Sequence, residues 1–292
     1  MGAEARFKRY ALDELLDHKL YLALAARERN ERNRKLLEEL ARDELRHYEF
    51  WSRLSGPVRL GLRDRLKLRL LLALSRAAGK TFTIKLLERG EASTVSEYRR
   101  AAAELEGELA AELARVIEDE ERHENELTNS LDELAVRQLG SIALGVSDAI
   151  IELTGVLAGF AGYTGSPVQV AAAGLIVGVS AALSMAAAAY SQAKHERGKS
   201  PPAAAAFTGL FYMLTVLALV APLLLGVPTI IGVALSLVCA LAILAAFSFY
   251  SAVVMEKPFL REYLENAAVV MTVSLVGYVF GQTVKEMTGG LP

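Results

Sequence analysis

The chain has 292 residues, with 32 lysines and arginines against 34 acidic residues and a net charge of −2 at pH 7. A protein that neutralises nucleic-acid phosphates needs a basic surplus, so this charge balance argues against a nucleic-acid partner. A single cysteine, Cys239, excludes an intrachain disulfide framework and a Cys-x-x-Cys metal or redox motif.

Charged side chains are distributed unevenly along the sequence. Residues 1–137 hold 53 of the 66 Asp, Glu, Lys and Arg residues, and residues 138–292 hold the other 13. The first segment has the composition of a soluble domain, whereas the second is too apolar to be solvated as a globule. We therefore predict an all-α protein with a soluble domain at 1–137 and a membrane-embedded domain at 138–292.

The soluble domain is rich in Ala, Leu, Glu and Arg, and its apolar residues recur with a period of 3.6. This pattern predicts a four-helix bundle with helices at about 6–29, 31–54, 80–103 and 104–137. A basic amphipathic segment at about 60–77 lies between the second and third helices. It fits either a helix that lies on a lipid surface or a solvated connecting helix.

Acidic residues and histidines interrupt the apolar stripes of all four helices, at positions where core residues are expected. These residues are Glu14, Glu44, His47, Glu88, Glu91, Glu120 and His123. Four-helix di-metal sites take a Glu from each of two helices and a Glu-x-x-His pair from each of the other two. Because buried carboxylates without a partner are costly, we predict that the seven side chains converge on two metal ions.

The spacing of these residues indicates an internal repeat of a helix pair. Glu14 precedes Glu44 by 30 residues, and Glu91 precedes Glu120 by 29. Oxygen-rich ligands with two imidazoles suit iron, manganese or zinc. We expect iron, since bridging carboxylates accommodate both Fe(II) and Fe(III).

The membrane domain contains long stretches with few or no charges. They predict five transmembrane helices, at about 141–163, 168–192, 203–225, 228–254 and 266–285. The loops at 194–199 and 256–262 carry Lys and Arg, whereas the connections at 162–167 and 222–228 carry no charge. Since basic loops face the cytosol, the N-terminal domain is expected to be cytosolic and the C-terminus to lie outside.

Two acids, Asp148 and Glu152, lie one turn apart in the first predicted span. Ionisable side chains inside a bilayer are expensive and usually line a pathway. Small residues share their helix face: Ser141, Gly145, Gly155 and Gly159. We predict a cation pathway lined by Asp148, Glu152 and the thioether of Met185, with Glu262 and Glu265 near its cytosolic mouth. Close helix packing is the alternative interpretation of this face.

The assembly can also be predicted from the membrane domain. Five helices offer no internal two-fold pore, so we expect a homodimer in which the first spans face each other. The sequence between Gly107 and Gly140 contains neither proline nor glycine. The helix at 104–137 is therefore expected to continue into the first span with little break.

The soluble half resembles the rubrerythrin branch of ferritin-like proteins. Three segments carry the resemblance: Asp43-Glu44-Leu45-Arg46-His47, Glu88-Arg89-Gly90-Glu91 and Asp119-Glu120-Glu121-Arg122-His123-Glu124. A Glu-x-x-Glu pair is a rubrerythrin trait, and in that family it lets one metal change ligands with oxidation state. The cysteine-ligated iron module of rubrerythrins proper is absent from this sequence.

The membrane half resembles the vacuolar iron transporter family. The resemblance is carried by Gly145-Val146-Ser147-Asp148-Ala149-Ile150-Ile151-Glu152 and by Ala182-Leu183-Ser184-Met185, running on to Tyr190. It implies a dimer that exports Fe(II), or Mn(II), from the cytosol in exchange for protons. Plant and fungal members carry a metal-binding insert where this chain has only residues 194–202, so the soluble domain would take over metal capture. Ala189 stands where the family commonly has glutamate.

Three functions are compatible with these features. The first is a metal exporter whose cytosolic domain captures or oxidises the metal. The second is a membrane-tethered di-iron oxidase or peroxidase whose five helices serve only as an anchor. The third is an exporter with a metal-sensing domain. Asp148 and Glu152 favour transport over an anchor, since an anchor needs no intramembrane acids.

Overall fold

The computed structural model describes residues 2–91, 94–130, 134–196 and 199–289, without the side chains of 88, 90, 91, 124–130, 134 and 135. Over these residues the protein is helical and has no strand, which confirms the predicted all-α class. The chain divides into two compact units, Met1–Glu133 and Leu134–Pro292.

The described residues of the first unit form six helical segments. Their bounds are α1 Ala3–Ala25, α2 Glu31–Ser55, α3 Leu62–Ala78, α4 Lys80–Glu91, α5 Thr94–Ala102 and α6 Glu108–Ser130. Local sequence fixes both ends of α2. The Asn30 side chain accepts hydrogen bonds from the backbone N–H groups of Arg32 and Asn33, and Gly56 ends the helix with φ +82°.

The helix expected at 80–103 corresponds to α4 and α5, and residues 92–93 between them lie outside the described residues. The helix expected from 104 begins at Glu108, because Gly107 has φ +63°, a left-handed conformation that interrupts an α-helix.

Two apolar clusters form the core of the first unit. One includes Leu20, Leu24, Leu37, Leu40 and Ile84. The other includes Phe7, Tyr10, Phe50, Trp51, Tyr98 and Leu113. Along α1, Glu14 lies between the residues that belong to one cluster and those that belong to the other. Along α2, Glu44 and His47 also lie between residues of the two clusters. The apolar clusters thus leave a buried polar layer in the middle of these helices.

The second unit contains the membrane helices. Its elements are α7 Leu134–Arg137, α8 Leu139–Tyr163, α9 Pro167–Ala193, α10 Pro201–Val220, the 3₁₀ turn η1 Ala221–Leu224, α11 Thr229–Val254 and α12 Phe259–Thr288. Five of its helical segments are long and apolar enough to cross a membrane, as predicted: α8, α9, α10 with η1, α11 and α12. The last of these begins at Phe259, earlier than the predicted 266.

The helix at 104–137 was expected to continue into the first membrane span, and the start of α8 tests this expectation. Gln138 has φ −96° and ψ 7° and separates α7 from α8. The first span therefore does not simply extend the helix before it. Residues 131–133, which complete the predicted helix at 104–137, lie outside the described residues.

Glycines let α8 pack closely against α12. Gly155 and Gly159 of α8 face Gly277 and Gly281 of α12, and a Cβ added to Gly277 would lie 2.5 Å from the carbonyl oxygen of Gly155. Such pairs of glycines four residues apart allow helix backbones to touch in a membrane. Gly145, on the same helix, lies against the backbone of α10.

The glycines that share a helix face with Asp148 and Glu152 therefore pack against other helices of the same chain. This supports the packing interpretation for the glycines, although not for the two acids between them. The dimer expected through this face stays a prediction.

Candidate metal centre

Four acidic and imidazole side chains converge in the buried polar layer of the first unit. They are Glu14 of α1, Glu44 and His47 of α2, and Glu120 of α6, and one ligand atom of each lies within 4.8 Å of the others. Glu44 and His47 are three residues apart, so both point from the same face of α2. Glu14, Glu44 and His47 are buried and Glu120 is half-buried.

His47 lies at the centre of this group. Its Nδ1 is 2.9 Å from Oε1 of Glu120, 3.5 Å from Oε2 of Glu44 and 3.7 Å from Oε2 of Glu14. Neither ring nitrogen of this buried side chain makes an aligned hydrogen bond with the described residues. Buried polar atoms are nearly always paired, so a nitrogen surrounded by carboxylates but bonded to none has the environment of a metal ligand.

Glu44 connects the two histidines of the site. Its Oε2 faces Nδ1 of His47, and its Oε1 lies 3.4 Å from Nδ1 of His123. The two imidazole rings are stacked with their centroids 5.8 Å apart. Glu44 is therefore the carboxylate that both imidazoles face.

Two aspartates orient the histidines from the outer side. Asp43 of α2 accepts a hydrogen bond from Nε2 of His123 at 3.0 Å, and Asp119 of α6 lies 3.5 Å from Nε2 of His47. Each aspartate thus reaches the histidine of the opposite helix and leaves that histidine's Nδ1 directed at the centre. Neither aspartate was predicted as a site residue. The sequence feature that could have identified both aspartates is the segment Asp-Glu-x-Arg-His, which occurs twice in the sequence.

The arginines of the same two segments neutralise these aspartates. Arg46 contacts Asp43 at 2.8 Å and Asp119 at 3.2 Å, and Arg122 contacts them at 2.9 Å and 2.7 Å. Although burial raises the pKa of Asp43, hydrogen bonds from His123 and Arg122 lower it well below its ordinary value. Asp43 therefore stays ionised.

Tyr98 of α5 is a further member of the site. Its fully buried hydroxyl donates a hydrogen bond to Oε1 of Glu14, so the Oε2 atom of Glu14 is the one that faces His47. Burial and the charge of Glu14 raise the pKa of Tyr98 well above its ordinary value, which keeps the phenol protonated. Its contact depends on tertiary packing, and the sequence contained no signal for it.

The cluster retains protons when no cation is bound. Burial raises the pKa of Glu14 to about 7, and burial together with the charge of Glu14 raises the pKa of Glu120. Burial lowers the pKa of His123, but Asp43 and Glu44 outweigh it and raise the value to about 9. A divalent cation can replace these protons, because it stabilises the ionised carboxylates and the neutral imidazoles.

Two predicted ligands of the soluble unit have no described side chain. Glu88 and Glu91 lie near the end of α4, where the structure describes the helix but not these two side chains. Glu121, the neighbour of Glu120, instead forms an exposed ion pair with Arg99. The structure therefore gathers Glu14, Glu44, His47 and Glu120 and places His123 beside Glu44.

The predicted pathway residues of the membrane unit are less densely gathered. Asp148 and Glu152 are half-buried on α8, and the buried Tyr212 of α10 donates a hydrogen bond to Glu152. Met185 of α9 is half-buried and packs against the core of this unit. Ala189, one turn further along α9, is buried. Among the described residues, the only group of three or more potential ligands is that of Glu14.

The two acids expected at the pathway mouth lie in the first turns of α12. Glu262 lies 3.3 Å from Lys257, and the exposed Glu265 lies 2.8 Å from Arg261. Each carboxylate therefore has a basic partner close to it in sequence. Exposed pairs of this kind are weak and would exchange readily with a cation.

Searches against protein families, curated proteins and solved structures found no match for this chain. Support for its function comes from the residues and their geometry.

Proposed function

We propose that the protein exports Fe(II), or Mn(II), from the cytosol in exchange for protons, and that its first unit is a ferritin-like bundle that captures, oxidises or senses the same metal. The observation that carries the proposal is the convergence of Glu14, Glu44, His47 and Glu120 in a chain with five helices able to cross a membrane. Metal ligands and membrane helices in one chain favour a metal that crosses the membrane.

The residues of the first unit fit a carboxylate-bridged metal pair. Glu44 faces His47 with one oxygen and His123 with the other, and both Nδ1 atoms lack an aligned hydrogen bond among the described residues. Mixed carboxylate and imidazole ligands suit iron, manganese or zinc. Bound iron would supply the Fe(II)/Fe(III) couple, while the protein holds the ions, orients the histidines and excludes water.

The order of the ligands along the chain supports the ferritin-like assignment. The carboxylate of Glu14 comes from α1, and the two Glu-x-x-His pairs come from α2 and α6. In a ferritin-like bundle the remaining helix supplies the fourth carboxylate. Glu88 and Glu91 of α4 are in position along the sequence to supply it, as the rubrerythrin resemblance implies.

In the second unit, Asp148, Glu152 and Met185 form the cation path. Tyr212 occupies one oxygen of Glu152 and leaves the other available to a cation. In a homodimer the two chains would together provide four carboxylates, which cannot all stay ionised without a cation. Entry of a metal ion would displace protons, and protonation on the far side would release the metal, which gives a direct coupling to protons.

The orientation of the protein follows from its loop charges. Lys194 and Lys199 lie between the second and third spans, and Lys257 lies between the fourth and fifth. The loops on the other side, around 162–167 and 222–228, carry no charge. We therefore place the basic loops and the first unit in the cytosol.

Asp148→Asn tests the pathway. In sealed proteoliposomes with a pH-sensitive dye inside, Fe(II) flux and the linked proton movement should be lost, because the uncharged amide cannot exchange a proton for a metal ion. Iron binding by the first unit should be unchanged. Val238→Asn, an exposed position on α11, is the matched control and should transport normally. Parental flux in Asp148→Asn would contradict the proposed path.

The second candidate is a membrane-tethered di-iron oxidase or peroxidase. One observation favours it: every member of the metal centre lies in the first unit, so the centre requires no residue of the membrane helices. Under this hypothesis, the protein in proteoliposomes would oxidise Fe(II) with dioxygen or peroxide while the flux remained at the level of empty vesicles.

A further inference from the structure

Helix α3 of the first unit is unusual in its exposure. All 17 of its residues are described, and none is buried. Its inner side packs Leu68, Leu71 and Leu72 against the core cluster that contains Leu20 and Leu24. That single stripe is sufficient to hold a solvated helix on a bundle.

A second apolar stripe runs along the outer side of α3. Leu62, Leu66 and Leu70 are four residues apart, so they share a face, and they are 86%, 57% and 62% exposed. Leu66 and Leu70 line a shallow groove together with Leu74. A solvated connecting helix would carry polar residues here, so the outer stripe needs another explanation.

Basic side chains border the outer stripe. In a chain whose net charge is −2, α3 has one acidic residue, Asp64, and five exposed basic residues: Arg63, Arg65, Lys67, Arg69 and Arg76. Asp64 accepts a hydrogen bond from the Gly61 N–H and caps the helix. The basic residues are therefore in excess on this helix.

These features favour one occupant, the surface of a membrane that contains anionic lipid. Leucines flanked by exposed basic residues are typical of helices that lie in the lipid interface. The centre of a protein–protein contact is, by contrast, depleted of charge. The five membrane-crossing helices in the same chain also keep α3 at a high effective concentration near a bilayer.

We propose that α3 lies on the anionic surface of the membrane, with Leu62, Leu66 and Leu70 in the interface and its basic residues on the lipid headgroups. This contact is independent of transport, so it can hold whether or not the proposed function is correct. It would fix the first unit against the membrane by one helix face.

A fluorescent probe on α3 tests the proposal in the full-length protein. Leu66→Cys in a Cys239→Ala background is labelled with an environment-sensitive dye and placed in nanodiscs. In phosphatidylcholine with phosphatidylglycerol, the emission should shift to the blue, grow several-fold and be quenched by brominated acyl chains. In phosphatidylcholine alone, all three effects should be weaker. Leu22→Cys, an exposed leucine of α1, is the control and should stay solvated.

A charge variant separates the headgroup contribution. Arg63→Glu with Lys67→Glu in the labelled protein should remove the dependence on phosphatidylglycerol, while an unchanged thermal unfolding transition shows that the unit is folded. A Leu66 probe that stays solvated in both lipids would overturn the proposal. So would a blue shift that brominated lipid does not quench, since it would show that a second copy or another protein surface covers α3.

Discussion

The two units of this protein hold their acidic residues in different ways. In the first unit, three helices bring Glu14, Glu44 and Glu120 around His47, and Arg46 and Arg122 neutralise the aspartates behind the centre. In the second, Asp148 and Glu152 lie on one helix and Glu152 has a hydrogen bond from Tyr212. The first site is a converged ligand set, whereas the second is a pair of carboxylates.

This difference suggests a division of labour. A converged and buried ligand set holds a metal ion tightly, because its carboxylates have little alternative solvation. Under the proposed function, a half-buried pair would bind a cation weakly enough to release it, as transport requires. If the contrast is correct, variants of the first unit should change metal binding and variants of the second should change flux.

The largest effect is expected from Glu44→Ala. Glu44 faces both histidines, so its removal should abolish binding of the metal pair by the full-length protein. Metal content after equilibration with Fe(II) or Mn(II) and desalting measures this directly. Glu49→Ala, an exposed position on the same helix, should bind as the parent does. If Glu44→Ala still bound two metal ions per chain, Glu44 would not be the bridging ligand.

A smaller loss is expected from Asp43→Asn. The neutral asparagine amide would orient the Nε2 atom of His123 less strongly than the ionised carboxylate of Asp43 does. Loss of such a partner typically lowers metal affinity roughly 10–100-fold. Asp119→Asn should have a weaker effect, since Asp119 lies 3.5 Å from His47 against 3.0 Å for Asp43 and His123. Competition with a metal-binding dye gives both affinities. If both variants bound metal with the affinity of the parent, the contacts of Asp43 with His123 and of Asp119 with His47 would not contribute to metal affinity.

Sequence periodicity predicted much of this first site. The two Glu-x-x-His pairs interrupt helical apolar stripes, and helical geometry alone places each Glu and His on one face. The Glu-x-x-His spacing predicted Glu120 as a ligand, and the structure places Glu120 in the cluster while Glu121 pairs with Arg99. The membrane helices were predicted because the length of an apolar run is a local property of the sequence.

Features that depend on contacts between distant elements were not predicted. Tyr98 of α5 contacts Glu14 of α1, a residue 84 positions away, and no local pattern indicates that pairing. The pairing of Gly155 with Gly277 likewise joins residues far apart in sequence. The sequence offered close packing only as the alternative interpretation of the glycines of α8, and it could not identify α12 as the helix that packs there.

The pH dependence of stability should separate the metal-free from the metal-bound first unit. The pKa of Glu14 is raised to about 7 and that of His123 to about 9. Groups with raised pKa values stabilise the fold while protonated, so their contribution is complete at low pH and is lost as the pH rises through these values. The metal-free protein should therefore become less stable from about pH 4.5, the ordinary pKa of Glu14, to about pH 9.

Bound metal should reverse this trend. Metal binding needs ionised carboxylates and neutral imidazoles, so the stabilisation by Mn(II) should grow over the same pH range. Thermal unfolding of the full-length protein in detergent, with chelator or with Mn(II), measures both trends. Equal stabilisation by Mn(II) at both ends of the range would mean that no protons are displaced from the site.

The smallest effect is expected from Tyr212→Phe in the second unit. The substitution keeps the ring in the core and removes the hydrogen bond to Glu152, so the carboxylate stays in place but is less firmly oriented. A hydrogen bond to a charged group contributes about 1.5–3 kcal/mol, and a partly replaceable one contributes less, so Fe(II) flux should fall several-fold without disappearing. Tyr190→Phe, an exposed tyrosine of α9, is the control. Metal binding by the first unit should be unchanged in both variants. If Tyr212→Phe instead lowered metal binding and left flux unaltered, the two sites would not have the separate roles that their geometry indicates.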